Sequence, residues 1–541
     1  MTVEEENGLD AAKNRTEENG AWVTEGEVLA MTNMLRISIA VFSPARDEDD
    51  NFLHSEWQII RPNLLLVLGK VHHQLHGMER SDAMLPHVFD FLSGTSYERL
   101  PAEVVDRAKM ALLDTLATAA GARRMLGSSV ARAHAKATFG WSTEAGGGGA
   151  SVWFDGSTKV SAAGAALANA TTTDTLDYHD GYNLVKGHIG AAVVPALLAF
   201  YEDLALDGRE GSGKRLLADV VVGYELGSRL GRVLHETAAE YHSSGSWGAV
   251  ACAALGARLL ALDDVRTRHA LGVSEYYGPR SPVATQCLSP TMVKDGLGWG
   301  AMTGVSSAYL ARDGFTGAPV MLVEDPKAQH VWTTLGTRWL ILDQFIKLFP
   351  VCWWTHPALH AILALKRKRE FNCDDVSRVE VETFAEALWI HQGAPESPEQ
   401  AMYATVFPIA TVLRYGRIDP RHVSEEACLK DPVTLDLCSK VRMLENEEYT
   451  AESSAYCYAR VKVHLCNGET LDSGKYAARG GAVPGVEAIT MADVIDKFHS
   501  IAKDTALPQD RAERLLAAVL ALDDPRKPTS VADVLVELRE R

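Results

Sequence analysis

The spacing of apolar residues predicts that most of the chain is helical. Between residues 100 and 121, apolar side chains recur at intervals of three and four, which places them on one face of a helix. Pro101 suits the first turn of this helix, and Gly121 is typical of a helix end. Residues 160–310 are rich in alanine, whose small side chain allows helices to pack closely. Helical periodicity returns over residues 491–538.

A second pattern, with a period of two residues, interrupts the helical sequence in the second half of the chain. Val379, Val381 and Thr383 alternate with charged residues, as in a strand with one buried face. Residues 459–465 alternate in the same way and lead into Asn467-Gly468, a strong hairpin signal. We therefore predict a mainly α fold, in which an all-helical domain formed by both chain ends is interrupted by a smaller α+β lid domain.

These changes of pattern give the expected domain boundaries. Residues 1–85 begin with acidic sequence and lack sustained periodicity, which predicts a partly disordered N-terminal extension. The first part of the helical domain is expected at residues 86–335, the α+β lid at 336–484, and the C-terminal part of the helical domain at 485–541.

Composition narrows the classes of partner and compartment. The 541 residues include 71 acidic and 53 basic side chains, a formal net charge of −18 that disfavours nucleic-acid binding, because phosphate contacts need clustered cations. No apolar run approaches the roughly 18 residues of a membrane span. The eight cysteines include no C-x-x-C pair, which argues against a zinc ribbon or an iron–sulfur site. Scattered thiols and an acidic N-terminus without a signal peptide predict a cytoplasmic protein.

Candidate chemistry is concentrated in four segments that place titratable groups in apolar surroundings. The candidate residues are Asp177, His179, Asp180 and His188 in the first segment, His242 in the second, Lys294 in the third, and Lys347 and Cys352 in the fourth. Carboxylates and imidazoles on a loop between helices can act as acids and bases, and lysines at helix starts can hold carboxylates. A divalent metal site and plain helix capping are the alternatives for the first segment. The chain lacks the Gly-x-Ser-x-Gly and His-Glu-x-x-His motifs of common hydrolases.

Taken in order, these segments resemble the MmgE/PrpD family, which includes 2-methylcitrate dehydratase and cis-aconitate decarboxylase. The resemblance runs from about residue 87 to about residue 505. It rests on these motifs: Leu176-Asp-Tyr-His-Asp, Gly187-His-Ile-Gly, Tyr241-His-Ser-Ser-Gly, Met292-Val-Lys, Asp313-Gly-Phe-Thr-Gly and Lys347-Leu-Phe-Pro-Val-Cys. It implies a homodimer whose active-site cleft lies between helical domain and lid and needs neither an iron–sulfur cluster nor a nucleotide. We therefore expect no cofactor and no metal.

The resemblance also implies roles for individual residues. The two aspartates of the family's Asp-x-x-Asp signature fall on Asp177 and Asp180, and its histidines fall on His188 and His242. Its two lysines fall on Lys294 and Lys347, where they would bind the carboxylates of the substrate. Substrate contacts are expected from Lys294, Lys347, His179 and Cys352.

Three positions depart from the family pattern. His179 stands where an acidic residue is common, and Phe407 occupies a position that resembles a family tyrosine, for which Tyr403 is a potential substitute. Cys352 stands where the decarboxylase branch has a histidine, which favours dehydration over decarboxylation.

The sequence therefore predicts a cofactor-independent hydro-lyase acting on a small anionic polycarboxylate such as 2-methylcitrate or an alkylcitrate, in a biosynthetic pathway. His188 and His242 are the expected acid and base, oriented by Asp177 and Asp180. The alternatives are a cis-aconitate-type decarboxylase, an isomerase or epimerase of a polycarboxylate, and a scaffold with a degenerate site.

Overall fold

The computed structural model of the chain describes residues 82–141, 148–206, 211–526 and 529–539, which belong to one compact unit. Up to residue 81, the predicted N-terminal extension lies outside the described residues. The first helices are α1 (Leu85–Gly94), α2 (Ala102–Ala122), α3 (Leu126–Thr138), α4 (Ala162–Thr175), α5 (Gly190–Asp203), α6 (Gly213–Thr237), α7 (Gly245–Leu259), α8 (Asp264–Tyr277), α9 (Val283–Leu288), α10 (Leu297–Arg312), α11 (Met321–Glu324) and α12 (Gln329–Trp332). A two-stranded antiparallel ribbon, β1 (Ala150–Ser151) and β2 (Lys159–Val160), precedes α4.

Small side chains bring the central helices of this part close together. Helix α10 packs against α4 and α7, and α5 packs against α4. A Cβ atom on Gly304 of α10 would lie 2.4 Å from the backbone oxygen of Ala249 in α7. Because that distance is far below van der Waals contact, the crossing of the two helices requires glycine here. The Ala-rich composition of the region thus has a packing cause.

The second half of the chain combines short helices with a mixed sheet. Its helices are α13 (His356–Lys368), α14 (Pro398–Met402), α15 (Val406–Tyr415), α16 (Pro420–Ser424), α17 (Glu426–Leu429), α18 (Pro432–Ser439) and α19 (Glu447–Glu452). Its strands are β3 (Val376–Thr383), β4 (Val441–Glu445), β5 (Tyr458–Leu465), β6 (Thr470–Asp472) and β7 (Tyr476–Ala477). The strand order is β4-β3-β5-β6, and β7 also pairs with β5.

The sheet confirms the period-two pattern. Strand β3 pairs in parallel with β4 and antiparallel with β5, so that Val381 lies opposite Val461. The valines of both strands are buried, whereas the residues that alternate with them are partly or fully exposed. Strand β5 packs against α13. Gly468 closes the turn from β5 to β6 with φ of 89°, as the Asn-Gly hairpin signal predicted.

The chain ends with three helices that return to the first helical part: α20 (Met491–Asp504), α21 (Gln509–Leu520) and α22 (Val531–Arg539). Helices α20 and α21 pack against α2, and α22 packs against α5. A buried ion pair joins two of these elements, since Lys497 Nζ of α20 lies 2.6 Å from Asp114 Oδ1 of α2. The same ammonium donates to the backbone oxygen of Tyr178 at 2.6 Å.

The mainly α character predicted from the sequence is confirmed, and the sheets are small. The division into a helical domain and a lid stays a prediction, because the residues concerned form one compact unit. Within the described residues, no helix combines the length and the apolar character needed to cross a bilayer.

Candidate active site

The predicted site residues converge only in part, on a small cavity that we call the central cavity. It is built from loops that flank helices: Asp177 follows α4, His188 precedes α5, and Asp295 precedes α10. Segments from the second half of the chain close it with Lys347, Cys352, Trp353 and Tyr403, among others. Its volume is about 30 Å³, room for roughly one water molecule.

Asp177 and Lys347 form a buried ion pair at this cavity. Lys347 Nζ lies 2.7 Å from Asp177 Oδ1 and donates to the backbone oxygen of the same residue at 3.0 Å. Both side chains are about 1% exposed. Asp177 has φ of 53°, a left-handed conformation that aspartate tolerates better than most residues. The lysine therefore holds both the side chain and the backbone of the turn that follows α4.

His188 presents an unprotonated nitrogen to the cavity. Its Nδ1 lies 2.5 Å from the backbone oxygen of Asp180. Because a carbonyl can only accept, Nδ1 carries the proton, and Nε2 of the neutral ring keeps its lone pair. The backbone N–H of His188 donates to Ser244 Oγ at 3.0 Å, which fixes the start of α5. These two bonds orient the ring as a base.

The charge state of His188 suits that role. Burial lowers the pKa of His188 below its ordinary value, and the Lys347 ammonium lowers it further. Asp295 opposes the shift, since its Oδ2 lies 3.8 Å from His188 Nε2. The imidazole is thus neutral at pH 7, and a carboxylate stands beside it to stabilise the cation that forms when it takes a proton.

Asp295 was not predicted as a site residue. Its Oδ2 accepts a hydrogen bond of 2.7 Å from the Tyr403 hydroxyl, and it is 3% exposed. Its backbone oxygen accepts from Gly245 N–H, which ties the turn before α10 to the start of α7. Asp295 directly follows the candidate residue Lys294, and this neighbourhood is the feature of the sequence that could have indicated it as a site residue.

Lys294 does not line the cavity, but it packs against Tyr403, which does. Its Nζ lies 4.8 Å from the centre of the Tyr403 ring and 3.6 Å from Met402 Sδ. Burial lowers its pKa, and Asp177 and Asp174 oppose that shift. Among the described residues no carboxylate lies within ion-pair distance of this ammonium, although it is only 3% exposed.

Two predicted residues lie behind the cavity rather than in it. Asp180 points its carboxylate at α6, where the Tyr224 hydroxyl donates to Oδ2 at 2.5 Å. Burial, followed by the neighbouring Asp114, raises the pKa of Asp180 to about 7. His179 is fully buried, with Nε2 3.4 Å from Asp174 Oδ1, and burial holds its pKa well below the ordinary value. Asp180 contacts His188 through its backbone oxygen and not through its carboxylate, and its role in catalysis stays a prediction.

His242 does not line the cavity either. It is half-exposed, its backbone pairs with Pro282, and its N–H donates to His235 Nε2 at 3.1 Å. The contribution of the Tyr-His-Ser-Ser-Gly motif is instead Ser244, which receives the His188 N–H. A Cβ atom on Gly187 would lie 2.3 Å from Ser244 Oγ, which explains the glycine before His188.

Cys352 and Phe407 also depart from the family pattern, and only Cys352 lines the cavity. Cys352 lines the cavity, and burial raises the pKa of its thiol to about 12, so it is neutral and a weak donor. Phe407 is buried in α15, whereas Tyr403 lines the cavity with its hydroxyl on Asp295. The chain therefore supplies a phenol at the site from position 403.

Metal binding is the alternative use of this cluster. Asp177, His188 and Asp295 each offer one donor atom, and the three atoms lie within 4.8 Å of one another. The Lys347 ammonium already occupies Asp177 Oδ1, and a dication would face this positive charge at close range. The donor set therefore suits proton transfer better than a divalent metal.

Comparison with known proteins gives matches over most of the chain. Residues 87–337 match the MmgE/PrpD N-terminal domain, and residues 349–524 match the MmgE/PrpD C-terminal domain. The cis-aconitate decarboxylase-like protein oryM of Aspergillus oryzae is 25% identical over 460 residues, covering 78% of this chain and 91% of that protein. A cis-aconitate decarboxylase of Aspergillus terreus is 23% identical over 469 residues, covering 80% and 91% respectively.

Proposed function

Because the chain belongs to the MmgE/PrpD family, we propose that it is a cofactor-independent lyase that eliminates water from a citrate-like polycarboxylate. The observation that carries the proposal is the pairing of an unprotonated His188 Nε2 with the buried Lys347 ammonium at one cavity. A base beside a cation is what removal of a proton next to a carboxylate needs.

In the proposed reaction, His188 Nε2 removes a proton from the carbon next to a substrate carboxylate. The electron pair of that C–H bond forms the new double bond as the C–O bond breaks and hydroxide leaves. Lys347 stabilises the enolate-like charge that develops, and Lys294 adds its positive charge from the far side of Tyr403. Asp177 acts by holding Lys347 in place.

Asp295 and Tyr403 complete the transfer of the proton. The imidazolium of His188 passes its proton to Asp295, which lies 3.8 Å away, while Tyr403 gives its hydroxyl proton to the leaving hydroxide to form water. Asp295 then returns a proton to Tyr403 along their 2.7 Å hydrogen bond. Every group on the protein ends in its starting protonation state.

Decarboxylation of a cis-aconitate-like acid is the second candidate, because two relatives carry that activity in their names. Loss of CO₂ would leave a carbanion that Tyr403 protonates, and Tyr403 would then recover its proton from water. The neutral thiol of Cys352, at the position where the decarboxylase branch has a histidine, favours dehydration.

The test is to incubate the protein with citrate, 2-methylcitrate and cis-aconitate, with and without a chelator. A new double bond in the ultraviolet spectrum supports dehydration, and released CO₂ supports decarboxylation. His188→Asn should lower turnover by on the order of 10²–10⁴. His242→Asn is the matched control and should stay within about tenfold of the wild type, since His242 does not line the cavity. No turnover of any substrate would favour the degenerate scaffold, and the expected homodimer and cytoplasmic location remain predictions.

A further inference from the structure

Lys186 lines the central cavity, and the proposed reaction gives it no role. It lies in a short turn whose ends are joined by a hydrogen bond of 2.8 Å from the Tyr182 N–H to the Gly187 oxygen. Val185 of the same turn is fully buried and packs against Gly231 of α6. The backbone at Lys186 is therefore fixed, and a change of partner involves its side chain alone.

Two features of Lys186 are unusual for a lysine. Its φ is 47°, a left-handed conformation that glycine or asparagine adopts at lower cost, so the turn itself does not need a lysine. The side chain is only 9% exposed, yet among the described residues no carboxylate lies within ion-pair distance of its ammonium. Nζ instead donates to the backbone oxygen of Ser453, which follows α19. A buried charge with a neutral acceptor gains free energy when an anion replaces that acceptor.

The contact with Ser453 is one that can open. Apart from the ammonium, the Asn183 amide reaches the Ser453 oxygen at 3.5 Å, and the Cys457 thiol, a weak donor, contacts Asn183 Oδ1 at 3.3 Å. These bonds are weaker than the buried ion pair of Lys347 with Asp177 on the other side of the cavity. A polycarboxylate is far larger than the one water molecule for which the central cavity has room, so a wall must move before it binds.

Lys186 also lies against a larger cavity, whose volume is about 380 Å³. Tyr241 lines this cavity, and the centre of its ring is 6.0 Å from Lys186 Nζ. Val283 lines both cavities. No lysine or arginine is found among the described residues that line the larger one. A carboxylate that passes from the larger cavity into the central one would therefore meet the Lys186 ammonium on its way.

We propose that Lys186 exchanges the Ser453 oxygen for a carboxylate of the substrate and so becomes a binding residue of the site. The exchange replaces a neutral acceptor with an anionic one, which makes the hydrogen bond stronger. It also releases the segment around Ser453, which gives the central cavity room on that side. This inference rests on the proposed function and adds to it the residue that admits the polycarboxylate.

Lys186→Met tests this role, because methionine has nearly the shape of lysine without its charge. With 2-methylcitrate as the substrate, KM should rise by on the order of 10–100-fold, as expected for the loss of one hydrogen bond between charged groups, while kcat stays within about threefold. The matched control is Glu386→Ala, which removes the acceptor that lies 3.1 Å from the Ser453 hydroxyl and loosens the same segment from its other side. This control should not raise KM. Equal rises in the two variants would overturn the inference, since Lys186 would then act only by holding Ser453.

Binding without turnover separates this inference from the proposed reaction. Tricarballylate has three carboxylates and no hydroxyl to lose, and calorimetric titration measures its Kd. Lys186→Met should raise this Kd by on the order of 10–100-fold, whereas Lys430→Met, which removes a lysine that is 72% exposed, should leave it unchanged. Tricarballylate that binds through Lys186, with no dehydration of any substrate, would refute the proposed reaction and support the inference. A Kd that Lys186→Met leaves unchanged, or a wild-type protein that does not bind tricarballylate, would overturn it.

Discussion

The buried ion pair between Lys347 and Asp177 gives the sharpest test of how the site is held together. Replacing Lys347 with methionine keeps the length of the side chain and removes its charge. The carboxylate of Asp177 would then lie 1% exposed without its cation. We expect Lys347→Met to lower the free energy of unfolding by about 3–5 kcal/mol, the usual cost of breaking a buried pair from one side.

The magnitude follows from the distance between the two groups. At 2.7 Å and an effective dielectric constant of about 20, the attraction between unit charges is about 6 kcal/mol. Part of it offsets the desolvation of both groups, so the double variant with Asp177→Asn should lose less than the two single variants combined. A coupling energy of about 3 kcal/mol or more is expected from this double-mutant cycle.

Urea unfolding followed by tryptophan fluorescence measures all four proteins of the cycle at a common m-value. The control is Lys430→Met, which removes one partner of an exposed pair with Glu426 and should leave the midpoint unchanged. Additive losses, with a coupling energy below about 1 kcal/mol, would refute the view that the two residues stabilise each other.

Two further predictions concern activity. Because burial and Lys347 lower the pKa of His188, the base stays unprotonated below pH 6.5. The acidic limb of kcat/KM should therefore fall at a pH below 6.5, and a midpoint above that value would contradict the assignment. Asp180→Asn should keep turnover within about tenfold of the wild type, because its carboxylate bonds to α6 rather than lining the cavity. Asp177→Asn should reduce turnover by on the order of 10², since it releases Lys347, and equal losses in the two variants would argue for a direct role of Asp180.

Local sequence patterns predicted the elements of the fold well. The three-and-four spacing before Gly121 corresponds to α2, and the period-two runs correspond to β3 and β5. These signals are strong because each element buries one face, and burial imposes the periodicity on the sequence. Pairing between strands far apart in the chain, such as β3 with β4, leaves no such local trace.

The candidate site was predictable at the level of segments but less so at the level of side chains. All four segments lie close to the central cavity, yet four of the predicted residues do not line it: His179, Asp180, His242 and Lys294. The direction of a loop side chain depends on partners from distant elements, as when Tyr224 of α6 captures the Asp180 carboxylate. Ser244 and Asp295 were missed for the same reason, since neither residue type at its position indicates a contact with His188.

The buried lysines show where a substrate carboxylate would gain most. Lys347 and Lys497 each have a carboxylate partner within 2.7 Å, and both bonds are made when the chain folds. Lys294 is buried to the same degree but contacts a sulfur and the face of an aromatic ring instead. Folding therefore removes the Lys294 ammonium from water without giving it an ion pair in return. A carboxylate that reaches Lys294 would form that pair with little further desolvation of the protein, although the whole chain carries a net charge of −18. If the substrate is a polycarboxylate, as proposed, we expect its affinity to depend on this one cation more than on the surface charge.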